Sequence, residues 1–258
     1  MSEITLHELI LDPSEEAPHF LSMPNGWKAH LSILHKGLSV KLQTHTHWDI
    51  KNTLSSRNGG NRTTSPAIDL DDGSLLCDSF AIAEYLEAKY PDKPSLFSGS
   101  LSHDPAAVLV GKQYARFINA GLGDSDSQWA VWLELSVADL AAGIPQDSKY
   151  KEYFTSDTKW GENGFEKMVK RARDEDLVGR AKLNVLPLVA VLKSQPFLQG
   201  SEPGFVDYVV FGRYAMCRNA NPALAKQVWE DQGVEIAKWV ESIVGRYPTI
   251  AKHLRAYA

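Results

Sequence analysis

An α+β unit followed by an all-helical one is the fold class this chain predicts, and three observations predict it. Strand-like and helix-like patterns alternate only within the first ninety-odd residues. A Pro/Ser/Gly-rich stretch, "PDKPSLFSGSLSHDP" (91–105), then interrupts them. Beyond it the apolar spacing is helical to the end, with no convincing strand. The expected divisions are a βαβ-ββα domain over residues 1–95, a linker over 96–105 and an all-helical domain over 106–258.

Each element has its own signal. "ITLHELIL" (4–11) is a mostly apolar run of strand length, the pattern of a central parallel strand. From Trp27, apolar residues recur at Leu31, Leu34 and Leu38, and Gly37 marks a helix stop. "LSVKLQT" (38–44) alternates strictly and reads as a strand. Residues 45–65 are polar and rich in Asn, Gly, Ser and Thr, which predicts a short weak helix and loops. "PAIDL" and "SLLC" flank "DDG", a hairpin signature. "DSFAIAEYLEAKYP" then carries Phe80, Ile82, Ala83 and Leu86 on one helical stripe and stops at Pro91.

Composition narrows the function classes. With 258 residues, 43% of them apolar, and a net charge of −5, the chain has no electrostatic case for nucleic acid or an anionic membrane. Two cysteines, Cys77 and Cys217, are too few for a disulfide framework or a thiolate metal site and fit a reducing cytosol. "MSEITLHELI" has no basic segment leading into an apolar core, so no secretory signal is expected. No apolar run is long enough to span a bilayer. G-x-G-x-x-G, P-loop, H-E-x-x-H, C-x-x-C and G-x-S-x-G patterns are all missing from the sequence.

Three short stretches point to one ligand. In "SMPNGWK" (22–28) a helix opens, and a helix N-terminus stabilises an anion, a thiolate included. Ser22 or Asn25 adds a side-chain donor there; the plainer reading is an ordinary N-cap. In "TTSPAI", Pro66 after Ser65 starts a strand, and a cis Ser65–Pro66 bond would leave the preceding backbone free to pair with an extended ligand. In "CDSFAIAEYL", Asp78 and Ser79 either cap the helix they open or bind an α-amino acid head, Asp78 to its ammonium and Ser79 to its carboxylate.

The order of these stretches, with "SP" opening the third strand and "DS" twelve residues after Pro66, resembles the N-terminal domain of glutathione transferases. "FLQGSEPGFVDYVVF" (197–211) resembles that family's capping-box segment, whose Asp, here Asp207, anchors a buried helix. "PNGWKAHLSILHKGL" and "SPAIDLDDGSLLCDSFAIAEYLEAKYP" are most similar to the fungal etherase-like branch, relatives of bacterial enzymes that cleave β-aryl ethers of lignin. The resemblance implies a thioredoxin-like N-terminal domain, glutathione as co-substrate, a hydrophobic aromatic second substrate, and a homodimer.

Residue by residue, it implies glutathione contacts at Ser65, Pro66, Asp78 and Ser79. Lys51, Arg57 and Arg62 are candidates for the glycyl carboxylate, and His45 and His47 for the same pocket. An apolar substrate pocket is expected from Phe20, Leu21 and Met23 together with Tyr114, Phe117, Ile118 and Asn119, with Trp129 and Trp132 behind. No metal ligand set is evident.

Two departures bear on this transfer. Gly204 stands where the capping box has Ser or Thr, a change of about 0.3 kcal/mol. More consequentially, the branch pattern "SPNTWK" is "MPNGWK" here, so Met23 and Gly26 replace two hydroxyls. Lowering a thiol pKa from about 8.5 by two units takes about 2.7 kcal/mol. A helix N-terminus supplies ~0.3–2 kcal/mol, and one charge-assisted hydrogen bond ~1.5–3. One donor beside the helix therefore suffices; Ser22 is the expected one and Asn25 the second choice. The principal reading is a glutathione transferase that attacks an aromatic electrophile, in particular a β-aryl ether. The alternatives are a ligandin-type binder, for which Met23 argues, and a thioltransferase, which lacks a cysteine at the first helix.

Overall fold

The computed structural model describes residues 3–60, 63–99, 104–120 and 130–257. Among these, every strand lies before residue 78. Strands β1 (Glu3–Leu9), β2 (Ser39–His45), β3 (Ala67–Asp69) and β4 (Leu75–Cys77) form one mixed sheet in the order β2-β1-β3-β4. β1 runs parallel to β2, with Leu6 opposite Leu42, and antiparallel to β3, with Leu6 opposite Ile68. β3 and β4 are the expected hairpin. As the inner strand covered on both faces, β1 buries Leu6, His7, Glu8 and Leu9 alike, as its mostly apolar pattern foretold.

Helix α1 (Pro24–His35) makes the crossover between β1 and β2. Pro24 takes the first helical position, where its missing N–H and fixed φ suit the helix. Between β2 and β3 the chain forms α2 (His47–Asp49), a π-helical turn (Ile50–Leu54) and α3 (Ser55–Arg57), the short weak helix expected there. α4 (Ser79–Lys89) closes the βαβ-ββα order on the other side of β4.

Helices follow in sequence: α5 (Pro105–Asn119), α6 (Val131–Ala142), α7 (Lys149–Thr155), α8 (Asp157–Trp160), α9 (Gly164–Asp174), α10 (Leu177–Leu192), α11 (Phe205–Ala220), α12 (Pro222–Val228) and α13 (Val234–Arg246). The fold is thus a thioredoxin-like four-stranded unit followed by a helical one, as expected.

α11 is the helix about which the rest is arranged, buried from Phe205 through Cys217. Asp207 fixes its start, accepting from the backbone N–H groups of Leu198 (2.7 Å), Gln199 (3.2 Å) and Gly204 (3.1 Å) and from Trp239 Nε1 (2.8 Å). Gly204 has no side chain with which to complete a capping box. Gln199 takes over that task, its Oε1 accepting from the Val206 N–H at 3.0 Å.

α11 packs along α1. A Cβ on Gly212 would lie 2.3 Å from the Pro24 carbonyl oxygen, so the backbone of α11 comes directly against the opening turn of α1. Trp27 meets Phe211 edge-on at 5.5 Å in the same contact.

Candidate functional site

The opening turn of α1 forms one end of a cavity of about 730 Å³. Met23, Asn25, His47, Ile50, Lys51, Thr63, Thr64 and Ser65 line it from the sheet-containing part, and Tyr153, Thr158 and Lys159 from α7 and α8. Met23, at the N-cap, offers no side-chain acceptor, so no cap claims the N–H groups of the first turn. The Ser65–Pro66 bond is cis.

The sequence put Ser22 ahead of Asn25 as the thiol donor, and the structure separates the two. Met23 is extended (φ −125°, ψ 145°), and successive side chains of an extended segment point to opposite sides. With Met23 toward the cavity, Ser22 turns away. It is 1% exposed and donates its hydroxyl to the Leu9 carbonyl at 3.1 Å. Together with Phe20 it lines a different cavity, of about 260 Å³. The expectation of a donor at Ser22 is therefore corrected: its hydrogen is committed and aimed elsewhere. Asn25 lines the groove, with its Oδ1 accepting from Lys28 Nζ at 2.6 Å.

Gly26 acquires a reason. A Cβ there would come within 1.4 Å of Glu8 Oε2, so the space a hydroxyl side chain would need is filled by a carboxyl from β1. Glu8 is fully buried, and its Oε1 accepts from the Leu9 N–H at 2.8 Å, whereas Oε2 has no partner. Burial pushes its pKa up to about 8, against the lowering effect of the Leu9 N–H and the Ser65 hydroxyl. Near neutral pH Glu8 is thus mostly a carboxylic acid packed under the helix start.

Asp78 caps α4, its Oδ1 accepting from the N–H groups of Phe80 and Ala81, both at 2.9 Å. It does so at φ +79°, a conformation disfavoured for any residue but glycine and characteristic of functional positions. Ser79 follows, buried at the first helical position. Asp78, Phe80, Glu84, Arg116 and Asn119 line a second cavity of about 340 Å³.

Several other expected contacts are redistributed. His47 lines the groove, but His45 ends β2 and pairs with the His7 ring at 3.0 Å. The two part company because α2 begins between them. Lys51 lines the groove beside the Tyr153 ring, at 5.0 Å. Arg57 is paired with Asp69 at 2.8 Å, and Arg62 and Trp129 lie outside the described residues.

Of the described residues of the expected apolar pocket, Met23 alone reaches the groove. Leu21 and Ile118 are buried, and Trp132 stacks on Trp229 at 4.4 Å in the core. Tyr114 and Phe117 face solvent, Phe117 at 69% exposure, because among the described residues nothing packs on the face of α5 they occupy. Asn119 belongs to the second cavity and accepts from Lys28 Nζ at 2.6 Å.

Among the groove residues that escaped sequence reasoning, Lys159 and Tyr153 bring the most chemistry. Lys159 lies 3.0 Å from His47 Nδ1 across the groove and close to the rings of Phe154 and Trp160. Burial pulls its pKa down to about 8. Tyr153 stands beside it. The aromatic-and-lysine composition of "KYKEYF" and "DTKW" was the available signal. Cys217 is buried and its thiol is pushed up to about 12, while Cys77 is on β4, so neither cysteine sits at the start of α1.

Residues 22–89 match the family profile of the glutathione S-transferase N-terminal domain. A glutathione S-transferase of Ceriporiopsis subvermispora, solved in complex with glutathione, superposes with a TM-score of 0.67 over 99% of each chain at 17% identity. The chain has the glutathione S-transferase fold. A glutathione transferase of Phanerochaete chrysosporium is also similar, with a TM-score of 0.59 over the full length of both chains at 19% identity. In sequence the chain is 27% identical over 209 residues to the glutathione S-transferase-like protein ustS of Aspergillus flavus, covering 72% of this chain and 70% of that one.

The part matching the glutathione S-transferase N-terminal domain contains Met23, Asn25, His47, Lys51 and Ser65; the wall formed by Tyr153 and Lys159 lies beyond it. Among the described residues no helix is long and apolar enough to cross a membrane.

Proposed function

We propose that the chain is a glutathione-dependent transferase that holds the tripeptide along the strand side of the groove and activates its thiol at the opening turn of α1. In this reading residues 1–95 bind glutathione and residues 106–258 complete the pocket for the second substrate. Asn25 donates its amide N–H to the sulfur, with the first-turn N–H groups beside it. Ser65 and Pro66 hold the tripeptide backbone, Asp78 and Ser79 the amino-acid head, and Lys51, His47 and Lys159 the glycyl carboxylate. The observation that carries the reading is the meeting of Asn25, Ser65, His47 and Lys51 around one cavity at an uncapped helix N-terminus.

The two neighbours from Ceriporiopsis subvermispora, both solved with glutathione, support the choice of ligand. A donor from Asn25 added to the helix N-terminus meets the ~2.7 kcal/mol that two pKa units demand. The electrophile is a hydrophobic aromatic compound packed between Met23 and Tyr153. The etherase-like motifs nominate a β-aryl ether, in which the thiolate displaces a phenolate to leave a thioether and, after protonation, a phenol. The exposed apolar face of α5 supports a homodimer.

Turnover separates this reading from its rival. Glutathione should bind in a titration, and a fluorogenic β-aryl ether or a chlorinated nitroaromatic should be consumed. Reaction of the halide alone would leave a transferase without the ether specificity. Binding without turnover of either compound would favour the ligandin reading, for which the Met23 thioether at the donor position is the specific argument. An empty groove at millimolar glutathione would sink both.

A further inference from the structure

Lys28 stands one turn after Asn25 on the same face of α1, is 2% exposed, and among the described residues has no carboxylate within bonding distance. Its Nζ donates to two neutral amide oxygens, Asn25 Oδ1 and Asn119 Oδ1, each at 2.6 Å. The charged groups that face it are Asp78, at the start of α4, and Arg213, from α11. Burial first, and Arg213 second, pull its pKa down to about 7, with Asp78 opposing. A buried ammonium held by two amides is a costly way to fill this space, since an apolar side chain of similar volume avoids the desolvation altogether.

What the ammonium does supply is direction. A side-chain amide can present its oxygen or its N–H2 to a neighbour, and the two ends are nearly equal in shape. An ammonium has donors only, so Asn25 is held with Oδ1 inward and its Nδ2 hydrogens turned the other way. Asn25 lines the groove, so the end left for a ligand is the donor end. We propose that Lys28 is a positioning residue that fixes the Asn25 amide as a donor to the glutathione sulfur, and that its second bond, to Asn119, ties that orientation to the cavity around Asp78. This rests on the reading of the groove given above.

Lys28 bonds to one residue from each of two cavities, that of Asn25 and that of Asp78. Filling the second with an amino-acid head group restrains Asn119, and through Nζ it restrains Asn25. An ammonium released from Asn119 is free to swing, and Asn25 loses its fixed face. Neither consequence requires Lys28 to touch glutathione.

The test compares Lys28→Met, Lys28→Arg, Asn25→Ala, Asn119→Ala and the Lys28→Met/Asn25→Ala double variant. The readouts are the ultraviolet absorbance of bound thiolate titrated against pH, kcat and KM, and thermal midpoints as a check on folding. Lys28→Met should raise the pH midpoint of thiolate formation and lower kcat by roughly tenfold, at nearly unchanged KM for the electrophile. Lys28→Arg, which keeps a donor, should recover part of the loss, and Asn119→Ala should show a smaller loss of the same kind.

The decisive arm is the double variant. If Lys28 acts through Asn25, its thiolate midpoint and kcat should equal those of Asn25→Ala alone. Losses that multiply would show that Lys28 acts independently of Asn25 and would overturn the proposal. So would an unchanged thiolate midpoint in Lys28→Met. An unchanged midpoint in Asn119→Ala would overturn the coupling to the second cavity. If Asn25→Ala itself leaves the thiolate midpoint where it was, or the wild-type protein binds no glutathione, the reading of the groove falls and this inference with it.

Discussion

Asp207 and Lys28 are both buried, both ionisable and both pushed toward neutrality by desolvation, yet they are held in opposite ways. Asp207 accepts four N–H groups, three from the 198–204 backbone and one from Trp239, and burial still raises it to about 6. Lys28 has two amide side chains, each lining a cavity. The first arrangement pins a helix in the middle of the fold. The second is thinly supported and opens onto both cavities. Burial of charge alone therefore does not separate an anchor from a working group; the partners do.

The largest effect should come from breaking the anchor. Asp207→Ala leaves four buried donors without an acceptor and should cost roughly 3–5 kcal/mol in urea unfolding. Asn25→Ala belongs to the other class: a fall in kcat of about 10²-fold, the scale of losing one aimed donor, with the thermal midpoint hardly moved. Glu8 lies between the two. Its folded pKa of about 8 exceeds the ordinary 4.5, so its favourable contribution is complete at low pH and is lost as pH rises from about 4.5 to about 8. Glu8→Gln should flatten that decline and, at pH 8, be more stable than wild type by an amount on the order of 2 kcal/mol.

Lys28→Met sharpens the contrast with Asp207→Ala by its sign. The folded pKa of Lys28, about 7, is below the ordinary 10.5, so wild-type stability rises with pH between those values. The methionine variant should therefore be the more stable protein, by about 1 kcal/mol or more at pH 6, with the gain shrinking toward pH 10. The smallest effect is expected of Ser22→Ala, about 1 kcal/mol from one hydrogen bond to the Leu9 carbonyl, with the thiolate midpoint unmoved.

Much of this was legible in the residues. The alternation of "LSVKLQT", the "DDG" turn and the stripe of Phe80, Ile82, Ala83 and Leu86 each sit in the strand, hairpin and helix they announce. The end of the groove formed by Asn25 and Ser65 was likewise named in advance. Local pattern favoured Ser22 over Asn25, because it does not show which way an extended segment turns its side chains. Nor could it find Lys159, which is 112 residues from His47, or the Lys28–Asn119 contact, which spans 91. Such pairs are made by packing and leave no periodicity. Tyr114 and Phe117 misled for a related reason: helical spacing says that a face exists, not what covers it.

The backbone contact between Gly212 and Pro24 gives the two banks of the groove unequal freedom to change. On one bank the opening turn of α1 rests on main chain, which no rotamer change can reshape and no substitution at 212 leaves undisturbed. The other bank is a handful of side chains on two short helices, replaceable one at a time. On the proposed function, a lineage of such proteins could acquire new electrophiles by drift at positions 153 to 159 with its sulfur chemistry left intact.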